Sequence, residues 1–562
     1  MKTLIFSLLV LTMASICNAQ NVNIPDINFK NALISAGVDA NENGEISYAE
    51  AEAITSLSVW FHNISDLTGI EAFINLEELD CSSNLLTSLN VSQNTALENL
   101  DCNTNQLTSL NVSHNTALTG LSCYWNQLTS LDVSKNTALK ELNCGYNQLT
   151  SLDVSKNPSL NWLWCYRNQL TSLDVSHNTA LEQLVCYSNQ LTSLDVSHNT
   201  ALEYLVCYSN QLTSLDVSQN TALPSLECSD NQLTSLDVSQ NTALTFLYCS
   251  GDQLTSLDVS HNTALIVLYC GDNQLTSLDV SHNTALRNFL CDDNQLTSLD
   301  VSKNPSLNML WCTRNLLSNL DVTHNTDLDW LYCGDNHLTS LDVSQNTALT
   351  TLYCDSNQLV NLDLSQNTAL GLLDCSPNQL TSLDVSTNTA LIFLYCDSNQ
   401  LTNLDVSQNT KLLDLYCGHN LLTSLDVSND TFIIHLNLSD MQTLHKVCVW
   451  EMPFPPAGVT VDTNNSPNVY FMADCSGTGL RPDEVNGKID IYPNPCDDIL
   501  NVEIENPDHA IIEIYNVSGK LLYSQVLNSN IEKINISGLS SGMYLVKVKQ
   551  DRTVFVEKIA VR

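Results

Sequence analysis

Cysteine recurs at a strict interval of 21 residues, seventeen times without a break, from Cys81 through Cys102 and Cys123 to Cys417. A fixed period near 20 signals a stacked solenoid, in which each unit is one small element that cannot bury its apolar face alone. The unit reads Leu139-x-x-Leu142-x-Cys144-x-x-Asn147-x-Leu149-x-x-Leu152-Asp153-Val154-Ser155-x-Asn157. It is itself double: a half of ten residues and a half of eleven, both of the form Leu-x-x-Leu-x-(Cys/Val)-x-x-Asn. In each half the pairs Leu142/Cys144 and Leu152/Val154 alternate inward with a period of two, which predicts two short strands per coil. Stacked at the strand spacing of about 4.8 Å, some 18 coils would run for about 85 Å as two parallel sheets around a core of leucine, valine and cysteine. Asn147 and Asn157 fall at the corners, where a column of amides can satisfy turn backbone that is otherwise buried unpaired.

This pattern resembles the leucine-rich-repeat family, specifically its bacterial 21-residue class with nested halves of ten and eleven. The resemblance runs from about Ile54 to Leu438 and implies an all-β-rich, right-handed coil with two parallel sheets. Three departures stand out: Asp252 replaces a corner asparagine, Phe289 replaces a core leucine, and Leu438 takes the cysteine position where the array ends. The columnar cysteines read as small buried hydrophobes. Neighbouring ones would point the same way, which disfavours disulfides, and seventeen is an odd number. A stepwise metal ladder is the alternative.

The ends of the chain differ from the middle. Residues 1–19 have the form of a secretory signal, with Lys2, an apolar run from Leu4 to Leu11, and Cys17-Asn18-Ala19. Lipid modification at Cys17 is disfavoured by Ile16. Residues 20–53 form a short helical cap. Within it, Asp39, Asn41, Asn43, Glu45, Ser47 and Glu50 match the twelve-residue EF-hand calcium loop, Glu45 through its backbone, with Gly44 at the sharp turn. The expected cofactor is structural calcium. Repeats are expected over residues 54–441, then a cap over residues 442–485 in which Cys448 and Cys475 pair across Trp450-x-x-Pro453-Phe454.

Residues 486–562 change to β-branched alternation with turn signals, which predicts a small antiparallel β-sandwich. The start Tyr492-Pro-Asn-Pro495, the element Leu539-x-x-Gly542-x-Tyr544 and the terminus Lys558 to Arg562 resemble the C-terminal sorting domain of the type IX secretion system of Bacteroidetes. By that resemblance the chain would cross the outer membrane, lose this domain, and be released or attached to surface lipopolysaccharide, with the secretion machinery as one partner. Cys496 departs from the usual run and reads as a free thiol. No later apolar stretch approaches the roughly 18 residues that a membrane-spanning helix needs.

With 61 acidic against 20 basic residues the net charge is −41, which repels nucleic acid and anionic membranes. Eight of the basic residues lie in the last 75 positions, so the repeats are more acidic than the average. No catalytic motif stands out: HExxH and a phosphate-cradling glycine loop are missing, and no pair of carboxylates has distinct surroundings, so the chain reads as non-enzymatic. Fifteen aspartates from Asp132 to Asp426 recur on the second half-repeat as a solvated ladder, with a calcium stripe as the alternative. Six histidines, including His114 and His177, share a corner position with Gln, Lys and Thr, as expected of a solvated turn residue.

Outward positions carry the candidate binding residues. Immediately before the columnar cysteine stand Trp164, Tyr248, Tyr269, Trp311, Tyr332, Tyr353, Tyr395 and Tyr416. Two residues earlier come Trp162, Tyr204, Phe246, Trp330 and Phe393, and on the far side Tyr166, Tyr187 and Tyr208. They predict one broad aromatic face for a protein partner, in interaction or adhesion, or alternatively for a glycan. Ladder packing that merely stabilises the sheet is the competing reading.

Overall fold

The computed structural model describes residues 20–473 and 489–562, apart from 505, 506, 508, 517, 518, 551 and 552. The expected signal over residues 1–19 and the expected disulfide partner Cys475 lie outside the described residues. The chain divides into two compact units, 1–396 and 397–562.

In the first unit, helix α1 (Ile27–Ser35) is capped by Asp26, whose carboxylate accepts from the Asn28 and Phe29 amides. Helix α2 (Tyr48–Glu52) begins with a capping box between Ser47 and Glu50. Seventeen three-residue strands follow, from Ser56–Ser58 to Phe393–Tyr395. They pair in parallel and in register, so that Leu79, Leu100 and Leu121 stack directly over one another. Every columnar cysteine is fully buried, as are Leu149, Val154 and Leu160 of the representative coil. Burial of each leucine contributes about 2 kcal/mol, but only once neighbouring coils are present to exclude water. Burial also pushes the Cys144 thiol up to about 12, so it stays protonated and unreactive.

The predicted second sheet is not formed along the array. The half-repeat that carries Leu152 and Val154 shows only isolated parallel bridges, Asp237 to Asp258 and Asp300 to Asp321. In that half Asp153 Oδ1 accepts from the Ser155 amide at 2.9 Å, and the Asn157 amide turns back to Val154 O at 3.0 Å.

Corner asparagines tie the coils together. Asn147 Nδ2 donates to Cys123 O of the preceding coil at 3.0 Å and to Cys144 O and Gly145 O of its own, while its Oδ1 accepts from Leu128 N at 2.9 Å. At the other corner Asn157 Nδ2 donates to Val133 O and Asn136 O, and its buried Oδ1 has no hydrogen-bond partner.

The second unit contains coils of the same kind. The strand Asp414–Tyr416 pairs in parallel with His435–Asn437, and that one with Thr460–Asp462. A true second sheet does form here, from Ser424–Asp426, Lys446–Cys448 and Tyr470–Met472. Residues 442–472 therefore add further coils at a longer spacing, although they lack the 21-residue period. Cys448 is disulfide-bonded.

From residue 489 two antiparallel sheets, of three and four strands, face a core that includes Leu500, Val502, Ile512, Ile514, Val546 and Ile559. Asn494 of the Tyr-Pro-Asn-Pro start donates to Lys558 O at 2.8 Å and accepts from Ala560 N at 3.0 Å, pinning the last strand. Cys496 is a buried free thiol in this core.

Two corner positions carry an acid. Asp252 keeps one role of the asparagine it replaces, accepting from Leu233 N at 2.9 Å, but its Oδ2 is buried without a partner. By register that oxygen faces the carbonyls of Cys228, Cys249 and Ser250, where an amide would donate. Asp430 is fully buried with neither oxygen paired. Burial pushes both carboxyls from 3.8 up to about 7. Above about 7 the acid is ionised in both states, and the coil bears an unsolvated charge. Below 3.8 it is neutral in both, so stability falls as pH rises between these values. Asp252→Asn should therefore raise the unfolding free energy measured in urea at pH 8 by roughly 1–3 kcal/mol, for restoring a buried hydrogen-bonded group, and gain less at pH 5. Equal gains at both pH values would show that the Asp252 charge costs the coil nothing.

Candidate functional site

On the outward face of the strands, side chains at the first and third positions stand away from the core. The predicted rings occupy these positions, except Tyr166, Tyr187 and Tyr208, which follow the columnar cysteine just past the strand, and all are half-buried or exposed. Trp162, Phe246 and Trp330 are the most open, at 36%, 38% and 40% exposure. Docking and ladder packing are not exclusive here, because the rings stack along the coil axis and leave their outer parts in solvent.

The rings do not make one continuous face. Tyr166, Tyr187 and Tyr208 form one stack, with centroids 4.9 and 4.4 Å apart and planes within 15°. Beside it Trp162 and Trp164 lie parallel at 6.2 Å and 4°. The Tyr204 hydroxyl donates to Glu227 Oε1 at 2.9 Å, and burial together with that carboxylate pushes its phenol up to about 12. Ser225, Glu227 and Ser229 interrupt the rings before Phe246, Tyr248 and Tyr269, where the two tyrosines meet edge to face at 4.9 Å. A second interruption, Asn288, Leu290 and Asp292, precedes the stack of Trp311, Tyr332 and Tyr353, at 4.7 and 4.9 Å. The Trp311 Nε1 donates to Thr313 Oγ1 at 2.6 Å. A third interruption, Leu372 and Asp374, precedes Phe393 and Tyr395, which share the strand after it, and Tyr416 holds the same column position in the second unit.

Sequence reasoning missed two features of this surface. Trp125, 55% exposed, stacks on Tyr146 at 5.0 Å and 13°, and Arg167 lies over the Tyr146 ring at 4.8 Å. Both Trp125 and Tyr146 sit two residues after the cysteine, at a left-handed backbone position with φ of 54° and 50°. An open groove of about 450 Å³ also crosses the first six strands, lined by Glu78, Asp80, Asp101 and Glu141 and ending at Trp162 and Trp164. Its signal in the sequence is the acidic and small residues that fill, in the first coils, the outward positions later given to aromatics.

The aspartate ladder is exposed, and each member caps the amide two residues on, as Asp174 does for Ser176 and Asp258 for Ser260, both at 2.9 Å. Hydrogen bonds from the Ser176 and Ser260 hydroxyls, and then from their amides, hold the Asp174 and Asp258 carboxyls below the usual range. The corner histidines are exposed too; His177 Nδ1 lies 3.1 Å from Ser176 Oγ.

The calcium-loop residues converge at the N-terminal cap. Asp39 accepts from the Asn43 and Gly44 amides at 3.1 and 2.8 Å, and Asn43 Oδ1 accepts from Glu45 N at 2.8 Å. Glu50 reaches back across the loop, accepting from Asn41 Nδ2 at 2.6 Å and from Ser47 Oγ at 2.8 Å. Gly44 has a φ of +80° and open space around it, and the Glu45 side chain turns outward to Lys30 at 2.7 Å. The loop is flanked by α1 and α2, and Ile46 O accepts from Val22 N at 2.8 Å. Five oxygen-bearing side chains drawn together, with a backbone carbonyl at the seventh position, fit a hard cation.

The repeating coil has the leucine-rich-repeat fold. Residues 490–562 match the secretion system C-terminal sorting domain family, which marks the chain for export, released or attached at the cell surface. Among the described residues no helix is long and apolar enough to cross a membrane. A leucine-rich-repeat protein of Leptospira interrogans shares the fold at 24% identity and TM-score 0.56, over 62% of this chain and 97% of that one. Internalin J of Listeria monocytogenes is 40% identical over 71 residues, and an ulvan lyase of Nonlabens ulvanivorans is 33% identical over 75. Each match is 13% of this chain, and the chain spans only 8% and 14% of those two curated relatives. A match of that length is the size of one small domain and carries no enzymatic activity with it.

Proposed function

We propose that this protein is a surface-displayed adhesion or docking module whose protein partner seats on the outward strand face between Trp162 and Tyr395. The observation that carries the reading is that rings stack from coil to coil on this face while Trp162, Phe246 and Trp330 on the same strands remain open to solvent. Tyrosine and tryptophan give large, rigid contact area with a polar handle, and stacking has already restricted their rotamers, so little side-chain entropy remains to be lost on docking. Export to the surface is the setting in which such a face meets partners. Fold alone does not name the partner. Replacing Trp162, Trp164, Trp311 and Trp330 together with alanine should abolish capture of surface proteins from host and bacterial extracts while leaving the fold intact by circular dichroism. Capture unchanged in that variant would move the site elsewhere, and binding confined to a glycan array would favour a carbohydrate ligand on the same rings.

We also propose that residues 39–50 bind calcium as a structural clip for the N-terminal cap, with Asp39, Asn41, Asn43, Ser47 and Glu50 contributing side chains. Extracellular sites of this kind have dissociation constants of about 10⁻⁴–10⁻³ M. Millimolar calcium should raise the unfolding temperature of the cap and EDTA should reverse it. Glu50→Gln keeps the capping-box acceptor but removes the charge, so it should lose the calcium shift without unfolding α2. A shift that survives this variant would rule out the loop as the site.

A further inference from the structure

The groove over the first six strands differs in chemistry from the rest of the outward face. Glu78, Asp80, Asp101 and Glu141 line it, and none of them belongs to an ion pair among the described residues. Asp80 and Asp101 are direct partners in the parallel register, about 4.8 Å apart across the strands, an arrangement in which like charges repel. Burial holds the Asp101 carboxyl above its usual range, and the Asp80 charge adds to the effect. Their donors are neutral: Ser56 reaches Glu78 at 2.9 Å and Ser58 reaches Asp80 at 3.0 Å, while Ser82 donates to Asp80 Oδ1 and Asn103 to Asp101 Oδ1 through both amide and side chain. Gly120 keeps the floor open, since a Cβ there would stand 2.5 Å from Asn99 Oδ1. At the far end the parallel tryptophan pair closes the groove, and the Trp164 Nε1 is buried without a hydrogen-bond partner.

We propose that this groove binds a short cationic segment of a partner protein. Its lysine or arginine side chains would pair with Glu78, Asp80, Asp101 and Glu141, and one cation would lie against Trp162 and Trp164. Charge complementarity argues for this occupant: a cation relieves the repulsion along the row, whereas a neutral sugar leaves it in place. A ring that already attracts a cation stands beside the groove, in the Arg167 guanidinium over Tyr146. Six strands span about 24 Å, the length of roughly seven extended residues. The inference rests on the reading of the outward face as the partner surface, and it adds the partner's chemistry.

The test is isothermal titration of the full chain with a seven-residue peptide alternating lysine and glycine, with its glutamate counterpart as control. The lysine peptide should bind and the glutamate peptide should not. Asp80→Asn with Asp101→Asn should weaken binding at least tenfold, and Trp162→Ala with Trp164→Ala should do the same. Asp237→Asn with Asp258→Asn removes equal charge from the exposed ladder and should change affinity less than twofold. That control is structurally mild, because Asn90 and Asn111 already cap Ser92 and Ser113 in the same way. Equal weakening by the ladder pair would reduce the groove to a diffuse field effect and overturn the proposal, as would absence of binding or preferential binding of a neutral oligosaccharide. If partner capture still depends on Trp311 and Trp330 while the peptide fails to bind, the groove inference falls and the docking reading stands. If both fail, the outward face is not the partner surface.

Discussion

A hydrogen bond from one side chain to two successive turns holds this solenoid in step. Asn147 Nδ2 reaches Cys123 O in the coil before and Cys144 O in its own, and the same geometry recurs at Asn168, Asn189 and Asn210. An unpaired buried carbonyl costs roughly 1–3 kcal/mol, so each asparagine fixes both the corner and the spacing to its neighbour. With the spacing fixed, leucines 21 residues apart must stack, and the inward positions lose almost all freedom of composition.

The same bond explains where variation is tolerated and what it costs. The residue before this corner adopts a left-handed backbone, at Tyr146, Arg167 and Ser188 alike, yet its side chain is free to be aromatic, basic or small. The strain is accepted because the hook beside it over-determines the turn. At Asp252 and Asp430 the hook itself is altered. Those coils keep their shape because neighbouring coils impose it, and the deficit appears as a carboxyl that holds its proton into the neutral range.

Most of this architecture is legible in the sequence because period, core and corner are each written in residue type. The leucine and cysteine columns, the corner asparagines and the sorting domain can be read directly. The second sheet misled because Leu152 and Val154 alternate and are buried as in a strand, and side-chain alternation reports burial, not whether neighbouring backbones pair. Coils beyond residue 441 were invisible to periodicity because their spacing lengthens, although Val447 and Phe471 still take core-column register. The rings were individually legible, but not their grouping into separate stacks, which depends on which coils interpose Glu227 or Asp292. The acidic groove was hidden because its carboxylates lie in different coils, diluted in a chain already carrying 61 acids.

Rigidity and variability thus sit on opposite sides of one three-residue strand. Leu163 is locked by the coils above and below, while Trp162 and Trp164 on either side of it face outward and are constrained only by their neighbours' rings. A surface built this way is preorganised without being fixed in composition: strand spacing sets where each side chain stands, and substitution alters the chemistry at one point without moving the next. That separation allows an acidic groove at one end and aromatic stacks further along to share a single scaffold. The chemistry of this surface is therefore set by the pattern of outward residues across several coils, because each three-residue strand turns only its first and third side chains outward.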